Sequence, residues 1–382
     1  MNPNPKLEEA DELHDPLEAA EPREVQLADR FPCPQCGANL TFDPDAQSLH
    51  CAYCGYQLEI EGEMSEAREY DLAEAEALAS QNWGQDTEVV QCSNCGAQVV
   101  LEANQTAQRC SFCGSAHVVR QDQLPGIKPE SLIPFQVSTA TARQAFSKWI
   151  GSHFFAPSDL KSSHQAGTLS GVYIPFWTYD AETYSLYQAQ KGTYYWVTQQ
   201  VTVRRNGRNV TEMRRVRRTR WRHVSGTYAE SFDDELVHAS TRLDSVLADK
   251  VGRYDLSELR EYRPEYLSGF VAEKYSIDVQ EGWERARQAI REKIRQGIIR
   301  QINGDEVRAL QFTTSHDQVK FKHVLLPLWI SAYTYRGKSY QLLINGQTGE
   351  VRGEAPVSAW KVGLTVAAVL AFILALVLLF GN

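Results

Sequence analysis

Residues 362–380, VGLTVAAVLAFILALVLLF, run for 19 positions without a charge. As a helix they cover about 28 Å, close to the thickness of a bilayer core. Core helices of soluble domains rarely run so long with one Thr as their most polar member, so the pattern predicts a transmembrane helix. Trp360 and Lys361 stand at its entrance, where an amphipathic ring and a snorkelling amine favour the headgroup layer. Upstream, over residues 127–356, helical and strand periods alternate and predict an α+β body. Ser138 or Thr139 can cap a helix that carries Ala142, Phe146, Trp149 and Ile150 on one face. Asp278 and Glu281 have capping-box spacing before Trp283, Ile290 and Ile294, with a stop near Gly297. Val172-Tyr-Ile-Pro-Phe-Trp177 is similar to Val324-Leu-Leu-Pro-Leu-Trp329, and each follows a helix. That predicts an internally duplicated strand-helix-strand pattern, with each Pro at a strand edge or start. The β-prone residues 194–203 before Asn206-Gly207 predict a long hairpin over 194–224, and residues 340–351 predict another that turns at Asn345-Gly346 and Gly349.

The cysteines change the picture of the N-terminal third. All eight lie between Cys33 and Cys113, as CPQCG with CAYCG and then CSNCG with CSFCG. Cys92, Cys95, Cys110 and Cys113 each follow Cys33, Cys36, Cys51 and Cys54 by 59 residues, so the segment is a duplication. Each CxxC sets two thiolates on one turn, and Gly37, Gly55, Gly96 and Gly114 supply the positive φ that aims backbone N–H groups at sulfur. Two small β zinc ribbons are expected, over 31–60 and 89–120, each closing an S4 site, hence two Zn²⁺ per chain. A cytoplasmic setting disfavours disulfides, and a rubredoxin-like iron site lacks an accompanying redox motif. His50 and His117 lie near shells that are already full. Loss of one ligand is expected to unfold its own ribbon and leave the body intact. Residues 61–88 read as an acidic, partly helical linker, with a helix from about 65 to 79.

Charge places these parts in a compartment. The composition is globular, 43% hydrophobic and 23% charged with a net charge of −9, which excludes wholesale disorder and fibrous repeats. Residues 1–30 hold nine acidic against three basic residues and no apolar h-region, so they predict an acidic disordered tail and not a secretory signal. Arg352 and Lys361 precede the span and no basic residue follows it. The expected topology is therefore tail-anchored and single-pass in the inner membrane, with the bulk in the cytoplasm. The ribbons carry little positive charge for phosphate, which favours protein contact. Arg204, Arg205, Arg208, Arg214, Arg215, Arg217, Arg218, Arg220 and Arg222 are nine of the 27 arginines, with one acidic residue among them. They form a candidate anionic-surface site, for lipid ahead of nucleic acid, beside the plain alternative of a solvated face. Gly337-Lys338-Ser339 is hairpin-like and lacks the Walker loop's earlier glycine, since Ala332 stands there. No HExxH, GxSxG or GxGxxG fingerprint occurs, no catalytic residue is assigned, and an enzyme is not expected.

The doubled CxxCG knuckles, the IPF and YIPFW strands, SGFVAEKY at 268–275, KHVLLPLW at 322–329 and INGQTGEVRG at 344–353 together resemble a bacterial tail-anchored membrane protein family with paired TFIIB-type zinc ribbons. The resemblance runs from Phe31 over nearly the whole chain. Members are often labelled as relatives of the primosomal helicase, whose motor motifs this sequence lacks. The family looks related to membrane components found with phage-shock protein A and SPFH-domain proteins, which implies an adapter or scaffold in envelope stress. The Arg-rich hairpin is outside that resemblance.

Overall fold

Two long strands that pair side by side and antiparallel organise the chain, seen here in a computed structural model that describes residues 31–60, 68–79, 88–93, 97–101, 110, 112, 118–121, 126–157, 169–205, 208–241, 253–335 and 338–380. The acidic tail over 1–30 lies outside the described residues. Strands β1 (Thr41–Asp43), β2 (Ser48–His50) and β3 (Gln57–Glu59) make a small antiparallel sheet of their own. Then come β4 (Tyr70–Asp71), α1 (Ala75–Ala79), β5 (Glu88–Cys92), β6 (Gln98–Leu101), β7 (Val118–Gln121), β8 (Ser131–Leu132) and α2 (Thr139–Ser152). The remainder is β9 (Ser170–Arg205), β10 (Arg208–His238), β11 (Arg260–Glu261), β12 (Val271–Glu273), α3 (Val279–Ile302), β13 (Glu306–Tyr335), β14 (Lys338–Asn345), β15 (Val351–Gly353) and α4 (Ala359–Phe380). Twelve strands share one mixed sheet in the order β11-β8-β13-β9-β12-β6-β5-β7, with β10 on β9, and β4 and the β14-β15 pair on β13.

The similar motifs pair with each other. Val172 faces Leu328, Tyr173 faces Pro327, Ile174 faces Leu326, Pro175 faces Leu325 and Phe176 faces Val324, a register that is symmetric about Ile174–Leu326. The flanks repeat this symmetry: β12 runs parallel to β9 at Val172 and Tyr173, and β8 runs parallel to β13 at Val324 and Leu325. Trp177 Nε1 donates to Ile277 O at 2.9 Å and Trp329 Nε1 donates to Val137 O at 2.8 Å. Each acceptor directly precedes the helix cap of a half, Asp278 and Ser138.

The prolines correct the expectation that they mark strand edges or starts, because both lie inside central strands. In a ladder a residue's N and O point to the same side. Pro175 O accepts from Ala239 N, on the side where β12 has ended at Tyr173 and β10 begins at Phe176. Pro327 O accepts from Gly346 N, where β8 has ended at Leu325 and β14 begins at Leu328. Each missing N–H therefore falls in a gap between two neighbours and leaves no acceptor unpaired.

Other boundaries also move. Helix α3 does not stop at Gly297 but runs to Ile302 and ends on Asn303 in the left-handed region. Gly297 serves a close approach instead, since a Cβ there would lie 2.0 Å from Tyr228 Oη. Of the helix expected over 65–79, the described residues show a 3-10 turn at Leu72–Glu74 that leads into α1. Ahead of it, Tyr70 pairs with Phe321 and donates to Glu130 at 2.7 Å, and Glu69 bridges Lys320 and Lys322. That segment is docked onto β13, so it is not a free linker. The arginine hairpin is longer than 194–224, with β9 and β10 in continuous register from Arg205–Arg208 down to an irregularity at Phe232–Glu235. Arg205 opposite Arg208 leaves the two-residue loop that Asn206-Gly207 predicts.

Helix α4 starts at Ala359, three residues before the expected span, and Lys361 is its only charged residue. Among the described residues no helix is long and apolar enough to cross a membrane. Five α4 side chains, at 374, 375, 377, 379 and 380, lie outside that description, so a span over 362–380 rests on the sequence.

Two buried histidines make stability pH-dependent. Burial depresses His323, packed on Trp177 with Nδ1 2.9 Å from Ile127 O, to about 4. Burial likewise lowers His238, set edge-on to Phe176, to about 4. Between the unfolded value near 6.5 and this folded value, the unfolded chain takes up protons that the native chain refuses, so stability falls as pH drops through that window. Each site contributes at most about 3 kcal/mol to the loss. The thermal unfolding midpoint is expected to fall between pH 7 and pH 5, and more gently in a His238→Gln chain. An unchanged pH slope in that variant would contradict the assignment.

Candidate functional site: a cysteine tetrad and a cationic ribbon

The first knuckle pair has the geometry its sequence predicts. Gly37 and Gly55 hold φ of 73° and 77°, and their N–H groups donate back to Cys33 O and Cys51 O. Cys33 N donates to Ala38 O and Cys51 N to Tyr56 O, so the two turns are copies. They bring Cys33 Sγ to 3.4 Å from Cys54 Sγ and Cys36 Sγ to 3.5 Å from Cys51 Sγ, with all four sulfurs within 4.8 Å of one another. Tetrahedral zinc with bonds near 2.3 Å requires edges of about 3.8 Å, so the donor set fits that ion. Backbone N–H of Cys54, then of Tyr53, draws the Cys51 thiol down to about 6. Cys54 is pushed up to about 12: the Tyr56 N–H pulls it down, but burial and the other three thiols outweigh that. Four thiolates this close repel one another unless a cation lies among them. This is a small zinc-ribbon-like β region with a closed, structural donor set.

Half of the second quartet is described. Cys92 and Cys110 are buried, while Cys95, Cys113, Gly96 and Gly114 lie outside the described residues. What is seen repeats the first knuckle at the same 59-residue offset: Cys92 N donates to Ala97 O at 2.8 Å, as Cys33 N does to Ala38 O.

The described parts of both cysteine segments are bonded to the body. SGFVAEKY at 268–275 joins both to the body. Phe42 N donates to Ser268 O and Ser268 Oγ donates to Leu40 O, tying the first ribbon down, while Phe42 packs edge-on to Tyr266. Phe270 stacks on Phe135 at 4.2 Å. Two residues on, Ala272 and Glu273 pair with Val100 and Val99, and Lys274 N donates to Gln98 O, so β6, with β5 and β7 beyond it, continues the main sheet. Tyr275 Oη then accepts from Ile127 N. One continuous core holds Cys33, Cys51, Leu40 and Phe42 with Phe135, Tyr173 and Trp329.

The hairpin register sorts the nine arginines. Residues directly opposite each other share a face of the ribbon. Arg205, Arg208, Arg214, Arg218, Arg220 and Arg222 fall on one face, together with Lys191, Val197, Val203 and Val216. Arg204, Arg215 and Arg217 fall on the other, where Arg217 lies 4.1 Å over Tyr194 and Arg215 5.7 Å over Trp196. β13 accompanies the hairpin only as far as Glu306–Gly192. Beyond it, residues 193–205 and 208–220 form a two-stranded arm about 40 Å long. Glu212, on the six-arginine face, pairs with Arg214. Sequence reading found the arginines but not this split, which only the register supplies.

Two further groups were invisible in the sequence. Glu69, Asp180 and Asp233 converge, and burial raises Asp180 to about 6. Lys320 and Lys322 already bridge to Glu69, and Lys322 also to Asp234 at 2.7 Å, which accounts for the cluster as an ion-pair network. A cavity of about 400 Å³ where β9 and β10 still run beside β13 is lined by Gln188, Gln190, His223, Ser225 and Gln311. His223 is its one titratable lining residue among the described residues, and no acid-base pair converges there.

Replacing Cys51 by Ser is expected to remove one equivalent of bound zinc and to lower the unfolding midpoint of the body as well, because ribbon and body share a core. Near-UV circular dichroism of the buried Trp177 and Trp329 reads the second effect. Loss of zinc with an unchanged body transition would restore the independent-ribbon expectation.

No protein-family model matches this chain, and no solved structure matches it. The chain is similar to "Uncharacterized protein YdjG" of Bacillus subtilis (strain 168), 31% identical over 343 residues that cover 87% of this chain and 91% of that protein. An alignment of that length takes in residues from both the cysteine segment and the sheet body, and this chain belongs to the same family as YdjG.

Proposed function

We propose that this protein is a tail-anchored adapter that presents two zinc ribbons from a rigid body at the cytoplasmic face of the cell membrane, for the recruitment of protein partners. The observation that carries the reading is α4, whose Leu364, Val366, Leu370, Phe372, Ile373 and Leu378 are exposed around a 22-residue helix. A helix that is apolar on all sides is stable only in a bilayer or under cover, and about 33 Å suffices to span one. The ribbons offer closed S4 sites with no open ligand position, which suits support and contact over catalysis. Two Zn²⁺ per chain, the second in the quartet that begins at Cys92, belong to this reading, as do phage-shock protein A or an SPFH-domain protein as partners. The six-arginine face would add attraction to anionic headgroups of about 1 kcal/mol per residue near the surface.

After an alkaline wash of membranes, the full chain is expected to stay in the pellet, and its release would overturn the anchor. Joint replacement of Arg214, Arg218, Arg220 and Arg222 by Gln in a chain ending at Pro356 is expected to weaken binding to anionic vesicles at least tenfold. The same change at Arg215 and Arg217 should cost less, since fewer arginines share their face of the ribbon. A two-stranded ribbon also has the size to enter a nucleic-acid major groove. Loss of DNA or RNA binding with unaltered vesicle binding would transfer the arm to that partner.

A further inference from the structure

The turn after α2 carries residues that turns rarely carry. Ala156 N donates to His153 O at 3.0 Å, closing a four-residue turn whose central residues are Phe154 and Phe155. Central turn positions usually hold Gly, Pro, Asn, Asp or Ser. Here two phenyl rings, 69% and 39% exposed, stand edge to face with centroids 5.2 Å apart. The turn is firmly held. His153 Nδ1 lies 2.8 Å from Trp149 O, its ring packs on Trp149, and Ala156 is buried. Nothing in that arrangement stabilises the body by exposing the two rings.

The same turn receives the start of α4. Ser358 N donates to Phe155 O at 2.9 Å, and Lys361 Nζ donates to Ala156 O at 2.6 Å and reaches Phe154 O at 3.4 Å. Lys361 is therefore engaged by the body, which corrects the expectation that it snorkels. These bonds fix where the apolar helix departs, beside the two phenylalanines and with Trp360 77% exposed in its first turn.

We propose that Phe154, Phe155 and Trp360 form a second membrane contact, an aromatic wedge that enters the headgroup-acyl boundary at the foot of α4 and sets the orientation of the body against the bilayer. The inference rests on the reading of α4 as a span. The occupant is lipid because the wedge is bonded to the point where the apolar helix leaves the body, so a bilayer around the helix must also meet the rings. Aromatic residues favour that depth, and the contact needs no anionic headgroup.

The test uses the full chain reconstituted in phosphatidylcholine vesicles, with the photoreactive p-benzoylphenylalanine at position 154 and, in a second chain, at Tyr184 of β9, which lies beside Ser315 of β13 and is 48% exposed. Retention after an alkaline wash, measured before irradiation, checks the span separately. With the chain retained, irradiation is expected to attach one phospholipid at 154, detected by intact mass, at several times the yield at 184. Chain-to-chain adducts at 154 would assign the wedge to a second copy and overturn the inference. Equal lipid labelling at both positions, or a retained chain without a lipid adduct, would overturn it too.

Discussion

The antiparallel pairing of β9 with β13 about Ile174–Leu326 is the constraint on which the other parts depend. Both strands are buried at this pairing, so every backbone group there needs a partner. The two prolines satisfy this by removing a donor at the place where one flanking strand ends and the next begins. The two tryptophans then tie the pair to its helices. Each indole N–H is buried, and losing its carbonyl acceptor would cost about 1–3 kcal/mol. Because Trp177 reaches Ile277 and Trp329 reaches Val137, each half's cap segment is completed by the other half's strand.

That pairing explains why the cysteine sites are integral to the body. β12 occupies the flank of β9 as β8 occupies that of β13, and its surrounding segment has both edges in use. Ser268 and Phe270 hold the first ribbon, and Ala272 to Lys274 hold the second. A metal ion in the Cys33–Cys54 tetrad would stiffen a segment hydrogen-bonded to the central strands, and its loss would be felt at the core.

The same long strands make the arm. β9 continues past its last partner on β13 and carries β10 with it into a two-stranded ribbon. Isolated two-stranded hairpins are marginal in water. Here Arg217 over Tyr194 and Arg220 over Tyr195 add side-chain contacts across the pair on opposite faces. On the six-arginine face Arg214 pairs with Glu212, and among the described side chains Arg218 and Arg222 form no ion pair.

Local chemistry was legible from the sequence. The CxxCG turns need only a few residues and a positive φ, so the tetrad, the Ser138 and Asp278 caps, the Asn206-Gly207 loop spacing and the Asn345 turn could be read from spacing alone. The similarity of the two Pro-Trp motifs was also legible, and so was the apolar run that became α4. Tertiary structure decided what depends on residues far apart. It placed the prolines inside central strands, because only the flanking strands show where a donor is dispensable. It carried α3 through Gly297, because Tyr228 lies across from it. It docked Tyr70 and Asp71 onto β13, joined both cysteine segments to SGFVAEKY, and tied Lys361 to the turn at Phe154. The arginines show the division most plainly: composition revealed the cluster, but a side chain's face depends on register, and register is fixed by pairing between strands.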